Sequence, residues 1–203
     1  MAPPPQKNLV LVLSGPAGSG KTTLCEALCS AYPGVVERLV TTTTRAPRPG
    51  ERDGHDYHFL DQPTFKRAID RGAFYEWAEV HGNLYGTQKA HVRQRLAANR
   101  DILLNIDVQG AEAFRKAAAE DPEIAGRLLT VFIQPRDLAQ IAERLRARGS
   151  ESEESLSRRL ETARREIPES TGFDHIIPSG TREEDFHRLE ALYREAKARL
   201  ANP

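Results

Sequence analysis

Apolar positions in this chain fall into short unbroken runs, and the stretches between them carry a helical spacing of apolar and charged residues. Leu9 to Leu13 is the first run, five residues long. A run of that length, followed at once by a helical pattern over 21–31, predicts a buried parallel strand. Pro33-Gly34 stops the helix, and Val35 to Val40 reads as a second strand. From 41 to 60 the chain turns polar, with Gly50, Gly54 and prolines, and predicts loops and short strands. A short helix over Gln62 to Arg71 follows, then a strand over Ala73 to Val80 and a turn at Gly82-Asn83, with Tyr85-Gly86 beyond it. The core pattern then resumes. Residues 88–98 and 109–119 read as helices, Asp101 to Asp107 and Leu128 to Ile133 as strands. Asp137 to Arg148 and Glu151 to Ile167 form charged helices, with Gly149 ending the first and Ser150 paired with Glu153 as a capping box for the second. Phe173 to Ile177 reads as a last strand and 182–200 as a terminal amphipathic helix. Strands alternating with helices predict an α/β fold on a parallel sheet. The central strands are Leu9–Leu13, Ile102–Ile106 and Leu128–Ile133, and two polar insertions, near 41–87 and 136–168, lie outside the sheet.

Composition narrows the function classes. Hydrophobic residues make up 39% of the 203 and charged residues 29%, enough for a core under a charged surface. Lys plus Arg equals Asp plus Glu at 29 each, so nothing marks a general nucleic-acid or anionic-membrane surface. No apolar run approaches a membrane span, and MAPPPQK carries no hydrophobic signal region, which points to a cytoplasmic protein. Residues 1–7, with Pro3 to Pro5, are expected to form a disordered or extended tail. Cys25 and Cys29, four apart on one helix face, read as small buried hydrophobes. His55, His58, His81, His91, His175 and His187 show no metal or catalytic spacing.

The strongest chemical signal is Ser14-Gly-Pro-Ala-Gly-Ser-Gly-Lys-Thr-Thr23. It contains Gly15-x4-Gly20-Lys21-Thr22, the phosphate-loop pattern, between a predicted strand and a predicted helix. Average composition yields such a pattern by chance in roughly 1% or fewer chains of this length, so a plain glycine-rich turn competes poorly. Gly15, Pro16, Ala17, Gly18, Ser19, Gly20, Lys21, Thr22 and Thr23 would cradle a nucleoside triphosphate on backbone amides and the helix N-terminus. Lys21 would reach the β- and γ-phosphates, and the Thr22 hydroxyl could ligate Mg2+. Two polar insertions around a small core suit a kinase that encloses a small acceptor and excludes water better than a GTPase or motor.

The phosphate loop, TTTTRAPRPGERDGHDYHF (from Thr41), EWAEVHGNLYGT (from Glu76), LLNIDVQG (from Leu103) and RLRARGSESEESLSRRL (from Arg144), taken in order, resemble the guanylate kinase family over about residues 9–180. The resemblance implies Mg2+-dependent phosphoryl transfer from ATP to GMP, or dGMP, by a monomer or homodimer. It also implies a P-loop core (8–40, 88–135 and 169–203), a GMP-binding subdomain (41–87) and a lid (136–168). By this likeness Arg45 and Arg48 clamp the acceptor phosphate, and Pro47 stiffens the backbone between them. Tyr57 and Tyr85 add hydroxyls to the same phosphate. Guanine offers N1–H and its 2-amino group as adjacent donors, for which a carboxylate is the complement. Glu76 matches that position, with Thr41 and Thr87 as hydroxyl partners and Asp107 as a second acidic contact near the base. Trp77 reads as packing.

Between 136 and 169 there are eight arginines and eight acidic residues. Most read as a solvated, salt-bridged helical pair. The resemblance singles out Arg144, Arg148 and Arg159 as closing over the phosphates, where they would neutralise the transferring group beside Lys21, and leaves Arg146, Arg158, Arg164 and Arg165 as structural. Two positions depart from the family pattern. Asn105 stands where an aspartate is usual and would give a weaker Mg2+ site. Ser179 stands where an asparagine near the donor base is common. A ribose bisphosphate phosphokinase would lack Glu76, Thr41 and Thr87. A non-catalytic phosphopeptide-binding module would lack Lys21, Thr22 and the lid arginines. Both alternatives therefore rank low.

Overall fold

The computed structural model describes residues 8–80, 82–147 and 152–201. The expected tail over 1–7 lies outside the described residues, as do Arg148, Gly149 and Ser150.

The central sheet is made of β1 (Val10–Ser14), β2 (Val36–Arg38), β7 (Asp101–Asn105), β8 (Leu128–Gln134) and β9 (His175–Pro178). The spatial order is β2-β7-β1-β8-β9 and every pairing is parallel. The alternation within β1 explains the two-sided cover. Leu11 and Leu13 face a cluster with Leu24, Cys25 and Leu28 of α1 (Lys21–Ala31) and Leu189, Tyr193 and Ala196 of α7 (Arg182–Ala201). Val10 and Val12 face Val92 and Leu96 of α3 (Lys89–Ala97) and Ala111, Phe114 and Ala118 of α4 (Val108–Glu120). The result is a three-layer α/β core whose strands are apolar on both faces, which is why they read as unbroken runs. At the lower end of this sheet the buried Asp101 accepts from the Leu9 amide at 2.8 Å, the Tyr193 hydroxyl at 2.7 Å and Lys197 Nζ at 2.9 Å, tying the last helix to two strands.

A second sheet comes from β3 (Thr42–Thr43), β4 (His58–Phe59), β5 (Phe74–Val80) and β6 (Asn83–Gln88), ordered β4-β3-β6-β5. Helix α2 (Gln62–Asp70) covers it through Phe65 on Phe74 and Leu84, and Asp61 caps that helix by accepting from the Thr64 amide. The turn signal at Gly82-Asn83 hides a six-residue strand, because β6 begins at Asn83 itself. Tyr85-Gly86 lies inside this strand. A Cβ on Gly86 would come within 2.9 Å of both Phe74 Cδ1 and the Glu76 carbonyl oxygen, so the glycine serves close strand approach, not a turn. The β5–β6 register shifts between Phe74 and Glu76. That irregularity breaks simple alternation: Phe74, Tyr75 and Glu76 are all buried. Trp77, read from sequence as a packing residue, is instead 47% exposed.

Helices α5 (Leu138–Ala147) and α6 (Glu153–Glu166) pack on one another through Ile141, Leu145, Leu156 and Ala163. The predicted capping box is corrected here. The cap of α6 is Ser152, whose hydroxyl accepts from the Ser155 amide at 3.2 Å, and Glu153 is the first helical residue. The Ser-Glu repeat offers several cap-competent serines, and the helix starts two residues later than its charge pattern suggests.

Candidate active site

The phosphate loop runs from the C-terminal end of β1 into α1, at the carboxyl edge of the parallel sheet, the usual ligand-binding edge of such folds. Gly15 adopts φ +137°, and a Cβ there would lie 2.6 Å from the Ile133 carbonyl oxygen. Only glycine lets the loop pass so close to β8. Gly20 takes the N-cap position of α1 in the left-handed region with no side-chain cap, which leaves the first amides of α1 to the loop's concavity. Lys21 Nζ donates to the carbonyls of Gly15 at 2.6 Å and Pro16 at 3.0 Å and thus bridges the loop. The Ser14 and Ser19 hydroxyls are fully buried and find no hydrogen-bond partner. Buried orphan hydroxyls are uncommon and mark a place where a ligand or water supplies the partner.

Asn105, the last residue of β7, reaches this loop. Its Nδ2 lies 3.4 Å from Thr22 Oγ1. The hydroxyl and amide expected near a cation are thus adjacent in space although 83 residues apart in sequence.

On the other side of Asn105 opens a cleft of about 300 Å3, lined by Thr41, Tyr57, Glu76, Tyr85, Gly86 and Asp107, among others. Glu76 is the deepest charged group, 7% exposed, and Thr87 Oγ1 donates to its Oε1 at 2.5 Å. Burial pushes the Glu76 carboxyl up to about 7; the Thr87 hydrogen bonds oppose this, and the nearby Asp107 charge adds to it. Asp107 has a structural duty as well as a place in the cleft. Its Oδ1 accepts from the Gly110 amide at 2.7 Å and caps α4. Gly110 permits this geometry: a Cβ there would stand 3.2 Å from Asp107 Oδ1 and 3.3 Å from Glu76 Oε2.

Thr41 sits at the cleft wall, and its carbonyl accepts from the His58 amide at 2.8 Å. Tyr57 and Tyr85 meet edge to face at 6.0 Å between ring centroids. The Arg45 guanidinium lies 5.5 Å above the Tyr57 ring, and Nη2 reaches both Glu51 carboxylate oxygens at 2.8 Å. Arg48 is exposed at the tip of the same loop.

A separate cleft of about 460 Å3 lies between the phosphate loop and the start of α7. Arg144 belongs here. Its Nη1 donates to Ser179 Oγ at 2.9 Å and the Ser19 carbonyl at 3.3 Å, and its Nη2 to the Gly180 carbonyl at 3.1 Å. Arg144, expected from the family resemblance to close over the phosphates, lines this cleft with the phosphate loop and is held beside Ser179, whose hydroxyl in turn donates to the buried Asp185 at 3.0 Å. Arg159 is exposed on α6, and Arg148 lies outside the described residues. The four arginines read as structural have acidic neighbours: Arg146 with Glu153, Arg158 with Glu154, and Arg164 and Arg165 with Glu161, at 3.2–3.5 Å.

Two carboxylates near the site escaped the sequence reading. Glu51 lies within the arginine loop, and its spacing from Arg45 was visible but undistinguished from solvated charge. Glu166, at the end of α6, is half-buried, and burial raises its carboxyl to about 7 while Lys21 opposes the shift and Asp107 adds to it. No local pattern separates it from the other acids of the helical pair.

The comparisons with known proteins agree with this architecture. A family model described as guanylate kinase matches residues 7–196. A guanylate kinase of Aromatoleum aromaticum is 44% identical over 193 residues, covering 95% of this chain and 91% of its own length. One from Oleidesulfovibrio alaskensis is 43% identical, covering 93% and 88% respectively. The crystal structure of guanylate kinase from Anaplasma phagocytophilum superposes with a TM-score of 0.71 at 30% identity, over 95% of this chain and 87% of that one. Phosphate loop, the cleft around Glu76 and core topology occur here in one chain that matches these proteins nearly end to end, and the chain belongs to the guanylate kinase family.

Proposed function

We propose that this chain transfers the γ-phosphoryl group of ATP to GMP, giving ADP and GDP, with residues 41–87 as the acceptor-binding subdomain, 136–168 as the lid and the remainder as the core. The observation that carries the assignment of the site is Glu76: a buried carboxylate, held by Thr87, facing a cleft that opens toward the phosphate loop. Ionised, it accepts from guanine N1–H and the 2-amino group together. Adenine offers no such donor pair and leaves the buried carboxylate unpaired, which is a steep form of discrimination. Thr41 and Asp107 border the base, while Arg45, Arg48, Tyr57 and Tyr85 take the phosphate.

The chemistry then needs placement and charge stabilisation. An acceptor phosphate oxygen attacks the γ-phosphorus, the bond from that phosphorus to the β–γ bridging oxygen breaks, and the electron pair leaves with ADP. The phosphate dianion is already a nucleophile, so no side chain has to remove a proton. Lys21 exchanges its contacts with Gly15 and Pro16 for the β- and γ-phosphates, and the α1 amides hold the same groups. Arg148 and Arg159 of the lid neutralise charge on the transferring group, and Arg144 works from the donor cleft.

The Thr22 hydroxyl and the Asn105 side-chain amide lie side by side, with Asn105 Nδ2 toward Thr22. An amide rotation would bring Oδ1 to the same place, and the resulting pair of oxygens would suit a hard hydrated cation, so the residue types present fit Mg2+. Mg2+ so held would draw negative charge from the triphosphate; Asn105 contributes a neutral oxygen where a carboxylate would add charge.

Release of ADP from ATP and Mg2+ is the test, run against GMP, dGMP, AMP, CMP, UMP and ribose 1,5-bisphosphate. Turnover with GMP and dGMP is expected. Turnover with the ribose bisphosphate alone, or none with any acceptor despite ATP binding, would refute the assignment.

A further inference from the structure

Two phosphate-binding arginines three residues apart, on an exposed loop, have a positioning problem. Each guanidinium ends a long flexible side chain, and nothing in the Arg45-Ala-Pro-Arg48 spacing alone makes the two converge. We propose that Glu51 is the positioning residue of the acceptor-phosphate clamp, its single carboxylate setting Arg45 and the Arg48 backbone in one geometry before GMP arrives.

The contacts support this directly. The loop folds back so that the Glu51 amide donates to the Arg48 carbonyl at 3.0 Å. The Glu51 side chain then returns across the turn. Oε1 and Oε2 each lie 2.8 Å from Arg45 Nη2, and Oε2 also accepts from the Arg48 backbone amide at 2.8 Å. The pair is not an open surface contact, since the Arg45 and Glu51 side chains are 16% and 19% exposed. The Arg48 amide, foremost, holds the Glu51 carboxyl below its usual range; burial opposes this and Arg45 reinforces it. Arg45 is also fixed by its own Nη1 bond to the Ala46 carbonyl at 2.7 Å and by the Tyr57 ring beneath it.

A guanidinium has five N–H donors, so contacts to Ala46 and Glu51 leave donors for a phosphate. A carboxylate beside a phosphate site lowers the raw attraction for a dianion. Its compensating effect is preorganisation: the ligand does not have to order a long side chain and a loop on binding. The same carboxylate explains how a residue outside the cleft lining acts on the ligand, through Arg45 and the loop backbone and without touching GMP.

This inference rests on the functional reading above, and its test separates the two. Titration calorimetry on the full chain would compare GMP with guanosine, which lacks the phosphate, for wild type, Glu51→Gln and Glu51→Ala, with KM for GMP and ATP measured alongside. Glu51→Ala should weaken GMP binding about tenfold while guanosine binding and the KM for ATP change less than twofold. Glu51→Gln should fall between wild type and alanine, because its amide oxygen still accepts from the Arg48 amide. The KM for GMP should rise by more than kcat falls. Equal loss for GMP and guanosine would show general damage to the subdomain and overturn the proposal. Tighter GMP binding in both variants would overturn it in the other direction, by showing that the carboxylate competes with the phosphate. A wild-type chain that bound neither GMP nor guanosine would sink the functional reading, and this inference with it.

Discussion

As the donor and acceptor sites of the proposed reaction, the phosphate loop and the cleft around Glu76 would bind nucleotides by different means. The loop is one contiguous stretch, Ser14 to Thr23, wedged between β1 and α1 and shaped by backbone geometry, with Gly15 packed against the Ile133 carbonyl. The cleft is built from side chains on separate elements: Thr41 before β3, Tyr57 before β4, Glu76 on β5, Tyr85 on β6 and Asp107 ahead of α4, with the buried Thr87 of β6 holding Glu76 from behind. Backbone amides recognise any phosphate, so in the proposed function the loop would carry affinity and charge stabilisation common to many triphosphates. Choice of acceptor needs donors and acceptors aimed at one base, which only side chains converging from distant positions provide. On the proposed function, generic chemistry sits in a local motif and specificity in a dispersed one.

Substitutions can break this division, starting with the largest effect. Lys21→Ala should lower kcat by ~10²–10³-fold, as expected for loss of one preorganised charge on the transferring group, while GMP affinity in calorimetry stays near wild type. Equal losses in both would mean loop and cleft are not separable. Glu76→Ala should reduce kcat/KM for GMP on the order of 10²-fold and shrink the GMP-over-AMP ratio, with the KM for ATP little changed. A preserved ratio would remove Glu76 as base selector.

Acidity sharpens the same contrast. With the Glu76 carboxyl near 7, about a tenth is ionised at pH 6, so the KM for GMP should be about tenfold higher at pH 6 than at pH 8. The GMP phosphate titrates nearby but does so equally in Glu76→Gln, so the difference between the two pH profiles isolates Glu76. Stability runs the opposite way. The folded-state value is raised above that of the unfolded chain, so this group's contribution is intact below about pH 4.5 and declines as pH rises through about 7. Denaturant midpoints of wild type and Glu76→Gln across that range would reveal the crossing trends.

Asn105 stands between the two regions. Asn105→Asp should lower the Mg2+ concentration for half-maximal activity by roughly tenfold, with a smaller effect on GMP affinity. An unchanged requirement would detach Asn105 from the metal. Least of all, Arg165→Ala should change stability by less than about 0.5 kcal/mol, since its partner Glu161 lies on an exposed helix face. A larger loss would mean the helical pair depends on its ion pairs and not on Ile141, Leu145 and Leu156.

The parallel core was readable because its strands are buried on both faces, so Val10 to Leu13 and Ile102 to Leu104 appear as unbroken apolar runs. The small sheet was harder. Its β6 strand contains Asn83, Tyr85 and Gly86, residues that signal turns by composition, and only the packing of Gly86 against Phe74 shows why a glycine belongs there. Trp77 read as packing, but it follows the register irregularity of β5 and is 47% exposed. Ser150 looked like a cap, but Ser152 holds that place.

By itself, then, the sequence determined the phosphate loop, the order of strands and helices, and the residue types that the two polar insertions carry. These are local matters of φ, charge and periodicity, settled within about ten residues. Tertiary structure alone decided that Glu76 is buried and its carboxyl pushed up to about 7, that Asp107 caps α4 while bordering the cleft, that Arg144 is tied to Ser179 beside the phosphate loop, and that Glu51 closes on Arg45. Each of those depends on desolvation or on a partner brought near by the fold, and neither desolvation nor long-range proximity is encoded in any short stretch of the chain.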